Sequence, residues 1–214
     1  MDLVELCKVS SKYTVGFEGN VSKKIENGLM IKPSGSNLEY VKENDFITLV
    51  DNIQIDNLDK KPSMELSFHE VIYEIFDCKY ISHIHPVNTL KILCSSDSDL
   101  FAKKRLFPDQ VIFNGPKSCI VDYYMPGNEL SLAIKKSVKN FIEKNGSKPE
   151  IILLKNHGLI VYGNTIRECE MKMDICEKSA EIFSGSNKKQ FLKKKDIKKL
   201  MNDKKEKLRK NQIY

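Results

Sequence analysis

The run Lys79-Tyr80-Ile81-Ser82-His83-Ile84-His85 is apolar and carries two of the chain's four histidines at its end. In a strand, side chains at i and i+2 share a face, roughly 6.6 Å apart along the backbone. His83 and His85 can therefore converge on one ion, with a distant segment supplying another ligand. A third histidine, His157, lies in Lys155-Asn156-His157-Gly158. Three neutral nitrogens with an open position describe a catalytic zinc-type site rather than a closed structural one. Periodicity alone does not attach His157 to the pair, and a His-x-His on a strand also arises by chance.

The segments around this run read as sheet and helix in alternation. Residues 2–13 are expected to form a short helix. Gly16 to Ser22 are read as a turn between strands, and Asn27-Gly28 as a hairpin turn before Leu29-Met30-Ile31. Pro33-Ser34-Gly35-Ser36 is a second tight turn, and Phe46 to Val50 a strand. Met64, Phe68, Val71, Ile72, Ile75 and Phe76 fall on one helical stripe, with Ser63 as its N-cap. Pro86 opens a helix to about Cys94. Val111-Ile112-Phe113 and Ser118 to Val121 are expected as short strands. Residues 129–144 form an amphipathic helix closed by Asn145-Gly146. Ile151 to Leu154 and Leu159 to Tyr162 are strands flanking His157. Thr165 to Glu168 is a capping box opening a long helix that ends at Gly185. The pattern predicts an antiparallel sheet covered by helices.

At 214 residues the chain is one domain, or one domain with a tail. Residues 188–210 carry twelve Lys and Arg against three acids, a local +9 within a chain of +6, so the remainder is −3. The tail lacks interleaved aromatics and any DNA-binding motif, and is read as a solvated helical face rather than a nucleic-acid site. No apolar run of about 18 residues is present, so no membrane partner is expected. The N-terminal residues do not read as a signal peptide. The six cysteines form no CxxC pair and read as reduced, in a cytoplasmic protein.

Five motifs, in order, carry a resemblance: Gly19-Asn20-Val21-Ser22, Lys32-Pro33-Ser34-Gly35, Pro62-Ser63-Met64-Glu65 with Phe68-His69, His83-Ile84-His85, and Asn156-His157-Gly158-Leu159. Together they resemble the class II aldolase/adducin family, and Leu106 to Gln110 with Asn114-Gly115-Pro116 is similar to the rhamnulose-phosphate aldolase branch. The resemblance implies an α/β fold, a three-layer α/β/α sandwich around a mostly antiparallel sheet. It implies an aldolase-like domain over residues 1–185 and a basic helical tail over 186–214. It also implies a divalent metal, zinc first with Mn2+, Co2+ or Fe2+ as alternatives, held by His83, His85 and His157. Glu65 matches the catalytic carboxylate. Gly19, Asn20, Ser34, Gly35 and Ser63 match phosphate-binding positions. Met64 stands where the family has a second serine, which removes one hydroxyl donor. The tyrosine that some relatives supply as proton donor has no counterpart in Gln110 to Phe113, and Tyr123 and Tyr124 are not assigned to the site. A small phosphorylated sugar and a homo-oligomer, commonly a tetramer, are the implied partners.

The implied activity is a lyase that cleaves or forms an aldol bond through a metal-stabilised enediolate. Charge beside the carbonyl is the obstacle, and a cation with open positions meets it. A carboxylate must move the proton, and Glu65 in the first turn of a helix has its pKa lowered by the dipole unless packing near Met64 and Phe68 offsets this. Taken alone, Glu65 could merely complement that dipole, Gly19-Asn20 and Ser34-Gly35 could be ordinary turns, and His69 is expected to be structural. The alternatives within the family are pentulose-phosphate 4-epimerase, thioribulose-phosphate dehydratase, 3-oxo-acid phosphate decarboxylase, and an adducin-like scaffold without catalysis.

Overall fold

A computed structural model describes residues 2–213. Its centre is an eight-stranded sheet in the order β4-β3-β2-β1-β5-β8-β7-β6. The strands are β1 (Asn20–Ile25), β2 (Gly28–Ile31), β3 (Ile47–Val50), β4 (Ile53–Gln54), β5 (Tyr80–Ile84), β6 (Cys119–Val121), β7 (Ile151–Leu154) and β8 (Gly158–Gly163). All neighbours are antiparallel except β6 and β7. The parallel pair is reached through α6 (Asn128–Asn145), because a parallel partner needs a crossover rather than a hairpin.

Helices cover both faces, so the sandwich has three layers. On one face, Leu3, Leu6 and Cys7 of α1 (Asp2–Ser11), Ile92 and Leu93 of α3 (Val87–Leu93), and Met173, Cys176 and Phe183 of α7 (Ile166–Gly185) share one apolar core with Val21, Ile84, Leu159 and Val161. On the other face, Phe68 and Ile72 of α2 (Leu66–Ile75) and Leu130, Ile134 and Val138 of α6 pack on Ile81, Ile152, Leu154 and Ile160. Every residue of β5, β7 and β8 is buried. Covering on both faces explains why these central strands read as continuous apolar runs rather than alternating ones.

Local chemistry sets most boundaries. Glu26 and Asn27 form the two-residue turn between β1 and β2, and Asn27 takes a left-handed φ of 55°, which this residue type tolerates. The Thr165 hydroxyl accepts from the Glu168 amide at 3.0 Å and starts α7. Gly146, with φ 67°, closes α6.

Three expectations are corrected. Asn20, Val21 and Ser22 belong to β1, paired with both β2 and β5, and the element before them is α1, so Gly16 to Ser22 is not a turn between strands. Residues Val111 to Phe113 lie in helix α5 (Pro108–Asn114), not in a strand. Pro108 at the first helical position favours that outcome, and α5 is buried over Gln110–Asn114 beneath α7 and the tail, which leaves no polar stripe to betray a helix. The helix after Pro62 starts later than Ser63 suggests: Glu65 is its N-cap, and Ser63 precedes it within a turn.

Helix α4 (Ser98–Lys103) follows α3, and the tail forms α8 (Lys194–Asn202) and α9 (Lys204–Ile213). It is not solvated on all sides. Leu200 and Ile213 pack on Ile112, Phe113 and Ile175. Arg209 meets Asp109 at 2.6 Å, and Lys210 meets Glu150 at 2.6 Å. Glu150 also pairs with the buried Lys172 of α7 at 3.0 Å. No helix among the described residues is long and apolar enough to cross a membrane. All six cysteines are free; five are buried and Cys94 is exposed.

Candidate metal centre and active site

Strand β5 delivers His83 from its buried interior and His85 one residue past its end. The β7–β8 hairpin delivers His157 in a three-residue turn, with Asn156 in the left-handed region at φ 56°. That turn is tied down from both sides. The Lys155 amide donates to Val121 O at 2.9 Å and the Asn156 amide to Leu93 O at 3.1 Å. The Lys155 ammonium lies 2.8 Å from both Asp99 and Asp122.

The three rings meet at their Nε2 atoms. His85 Nε2 is 2.9 Å from His83 Nε2, which is 3.3 Å from His157 Nε2. His83 Nδ1 lies 3.1 Å from Leu159 O. A carbonyl only accepts, so Nδ1 carries the proton and the Nε2 lone pair faces the other rings. Burial pushes His83 down to about 4 and His85 down to about 3, so both are neutral near pH 7. Neutral imidazole nitrogens gathered at this separation are the donor set of a divalent transition-metal ion. The residues present therefore fit the metal that the resemblance implies.

Glu65 closes the cluster. Its Oε1 lies 3.2 Å from His157 Nε2 and its Oε2 3.4 Å from His83 Nε2. Burial opposes ionisation. The neighbouring His83 and His157, with the amide of Asn20 donating to Oε2 at 2.8 Å, outweigh it and hold the carboxyl well below the usual range. The expected offset from Met64 does not arise: that side chain turns outward and is 76% exposed, whereas Phe68 is fully buried. Oε1 of Glu65 and Nδ1 of His157 are buried and have no hydrogen-bond partner among the described residues.

A cavity of about 420 Å³ runs from this cluster to the loops, and Gly19, Asn20, Ser34, Gly35 and Ser63 all line it. An isolated antiparallel bridge between Pro33 and Pro62 brings the Ser34-Gly35 turn beside Ser63. The Glu65 amide donates to the Ser63 hydroxyl at 3.3 Å. Gly19 has φ 71°, and a Cβ there would stand 2.7 Å from His83 O, so the loop and the end of β5 can approach only with glycine in place. Tyr123 and Tyr124 are exposed and do not line the cavity.

Lys32 is a residue the sequence reading missed. It is 2% exposed, its Nζ bonds Phe17 O at 3.4 Å and also Ser36 O, and it lines the same cavity. Burial lowers its pKa, with Cys7 and Glu65 opposing. Lysine ordinarily reads as surface, and only its place beside Pro33-Ser34-Gly35 could have flagged it. His69 is likewise not at the surface. It is fully buried and pushed down to about 3 by burial, against the pull of Glu65.

Two outcomes follow from this geometry. A Cβ at Gly158 would stand 2.5 Å from Ile84 O, 2.7 Å from His85 Cδ2 and 3.1 Å from His83 Cε1. Gly158→Ala is therefore expected to displace both rings and weaken metal retention by about tenfold or more, the scale of disturbing what orients a ligand; metal analysis after dialysis checks this. The second concerns acid. In the unfolded chain His69 and His83 titrate near 6.5. Between that pH and their folded values of about 3 and about 4, the unfolded chain binds protons that the folded chain does not. Stability of the metal-free protein should thus fall as pH drops below about 6.5, by several kcal/mol in total. The lowered carboxyl of Glu65 acts in the same direction, its contribution being lost at still lower pH. Denaturant midpoints measured from pH 8 to pH 4 read the effect.

The fold and this three-histidine, one-carboxylate cluster define a metal-centre protein of the aldolase type, and comparison agrees. The chain belongs to the class II aldolase and adducin N-terminal domain family, whose profile matches residues 2–184. It is 32% identical to an L-fuculose phosphate aldolase of Methanococcus maripaludis, over 85% of this chain and 96% of the relative. It is also 29% identical to a 3-oxo-tetronate 4-phosphate decarboxylase of Pectobacterium atrosepticum, over 86% of this chain and 83% of the relative. Among solved structures, YgbL of Klebsiella pneumoniae superposes with a TM-score of 0.78 at 24% identity, covering 93% of this chain and 97% of that one. These structures share the fold.

Proposed function

We propose that the protein is a divalent-metal-dependent lyase that cleaves, and in reverse forms, an aldol carbon–carbon bond in a small phosphorylated ketose. The observation that carries this reading is the convergence of three Nε2 atoms and the Glu65 carboxylate beside a cavity also lined by Lys32, Ser34, Gly35 and Ser63.

His83, His85 and His157 would hold the ion, and zinc suits three nitrogen ligands with a position left open, ahead of Mn2+, Co2+ or Fe2+. A divalent ion there supplies a Lewis acid for the negative charge that bond cleavage leaves beside a carbonyl. Glu65 moves the proton. Asn20 holds Oε2, and Oε1, 3.2 Å from His157 Nε2, is the oxygen that takes the proton and returns it. The amides and hydroxyls of the Gly19-Asn20 and Ser34-Gly35 loops, with Ser63, grip the phosphate oxygens. The Lys32 ammonium adds the charge that a dianion requires. Lys32→Met is expected to raise KM for a phosphorylated substrate about tenfold or more and to leave binding of the unphosphorylated sugar less changed, as steady-state kinetics on both would record.

We divide the chain into an aldolase-like domain, residues 1–185, and a basic helical tail, 186–214, and assign the protein to the cytoplasm as a homotetramer. Free cysteines support that compartment, and the exposed apolar side chains of Tyr123, Met125 and Leu132 support assembly, which sedimentation would test.

The decarboxylase relative favours one second reading. Loss of carbon dioxide beside a carbonyl leaves the same kind of charge for the same site to stabilise. The deciding experiment incubates the metal-loaded protein with phosphorylated and unphosphorylated ketoses and 3-oxo acids. Two carbon fragments support the aldolase; released gas or an isomer moves the assignment to decarboxylase or epimerase. Inertness toward every compound with zinc, manganese or cobalt supports the adducin-like scaffold.

A further inference from the structure

His69 has no part in the steps above, yet both of its ring nitrogens are engaged. Its Nδ1 lies 2.7 Å from Ser22 Oγ, which lies 2.8 Å from Tyr73 Oη. Its Nε2 lies 2.5 Å from Asn20 Oδ1, and Asn20 Nδ2 donates to Glu65 Oε2 at 2.8 Å. Two elements make this chain: β1 carries Asn20 and Ser22, while α2 and its N-cap carry Glu65, His69 and Tyr73. Glu65, His69 and Tyr73 are successive fourth residues and so share one helical face.

The direction of every bond is decided at the Glu65 end. An ionised carboxylate only accepts, so Asn20 must turn its NH2 group toward Oε2 and its oxygen toward His69. An amide oxygen cannot donate, so His69 carries its proton on Nε2. A neutral ring has one N–H, so Nδ1 accepts from the Ser22 hydroxyl, whose oxygen accepts in turn from Tyr73. The donors from Ser22 to Asn20 thus run toward Glu65, while Tyr73 Oη also lies 3.4 Å from Lys79 O. With the Nε2–H at His69, a flipped carboxamide would lose this donor as well as set its oxygen against the carboxylate; without it, the carboxylate alone holds the amide. The ring itself is held in place: it is fully buried and stacks on Phe68 at 4.6 Å between centroids, with the planes 16° apart.

We propose that His69 is a positioning residue: as a neutral Nε2–H tautomer it holds the Asn20 carboxamide in the one orientation that donates to Glu65, and so keeps that carboxylate aimed at the histidine cluster. The proposal deepens, and rests on, the reading of Glu65 as the proton shuttle.

The test uses the full-length protein and two substitutions. His69→Phe keeps bulk and stacking but removes the donor, whereas His69→Gln keeps an amide donor within reach of Asn20. Metal content should be unchanged in both. His69→Phe should lower kcat by about 10–100-fold, the usual cost of losing an outer partner of a metal site, with KM within about twofold of wild type. His69→Gln should restore most of that loss. Adding His69→Phe to Asn20→Ala should cost little more than Asn20→Ala alone, since both remove one interaction. A separate reading needs no substrate: 15N NMR of histidine-labelled wild-type protein should find His69 protonated at Nε2 and bare at Nδ1 at neutral pH. That measurement stands even if the aldolase reading fails or if His69→Phe does not fold. An Nδ1–H tautomer overturns the proposal. So does a His69→Phe protein with wild-type kcat, or a loss that Gln fails to restore and that adds in full to Asn20→Ala.

Discussion

His83→Ala is expected to strip the protein of its divalent ion and of turnover together. Two imidazoles remain after the change, and a ligand pair does not hold a catalytic ion as three do. Disturbing the partner of a metal ligand already costs about 10–100-fold in affinity, so losing a ligand should cost at least about 100-fold. Turnover should fall by about a thousandfold or more, because the Lewis acid's share of barrier lowering is several kcal/mol and each ~1.4 kcal/mol is tenfold. The substitution also leaves a void in a fully buried place and removes the bond to Leu159 O, so some loss of stability accompanies it. His157→Ala separates the two effects. That ring is 12% exposed and its Nδ1 has no partner among the described residues, so its removal takes a ligand with less damage to the core. Elemental analysis and thermal unfolding on both variants would decide. A His157→Ala protein that kept a full complement of metal would overturn the three-histidine site.

Glu65→Gln is the second large effect, and it should divide function from structure. The amide is the same size as the carboxyl, and its oxygen can still accept from Asn20. Metal content and melting temperature should therefore stay close to wild type. The proton, however, has nowhere to go, and loss of a general base costs about 10²–10⁴ in rate. A variant that kept more than about a tenth of wild-type kcat would remove Glu65 from the proposed role. The two variants fail differently: the histidine change loses the ion, and the glutamate change keeps it without turnover.

Much of this site was legible before any coordinates. The His-x-His spacing places two rings on one face, because strand geometry repeats every second residue whatever lies around it. Turn chemistry marked Asn27 between β1 and β2, and the Thr165 to Glu168 box marked the start of α7. Where the reading failed, local signals were absent or misleading. Val111-Ile112-Phe113 is apolar throughout because α5 is covered by α7, α8 and α9, and three apolar residues in a row carry no period. Ser63 has a capping residue's chemistry, but the chain turns once more before α2 begins. Lys32 drew no assignment, since burial is not written in a residue's identity.

The sequence by itself determined the type of most elements near the site, though not of β1 at Asn20 to Ser22, and the side chains available to it, since period and turn preference act within a few residues. Only the tertiary structure decided which atoms face each other. His157 meets His83 across 74 residues of chain, Asn20 meets Glu65 across 45, and His69 meets Asn20 across 49. Those pairings depend on how β1, β5, β8 and α2 pack, and the same packing removes water from the ionisable groups. It holds the His83 and His85 rings neutral near pH 7 and sets the Glu65 carboxylate beside them.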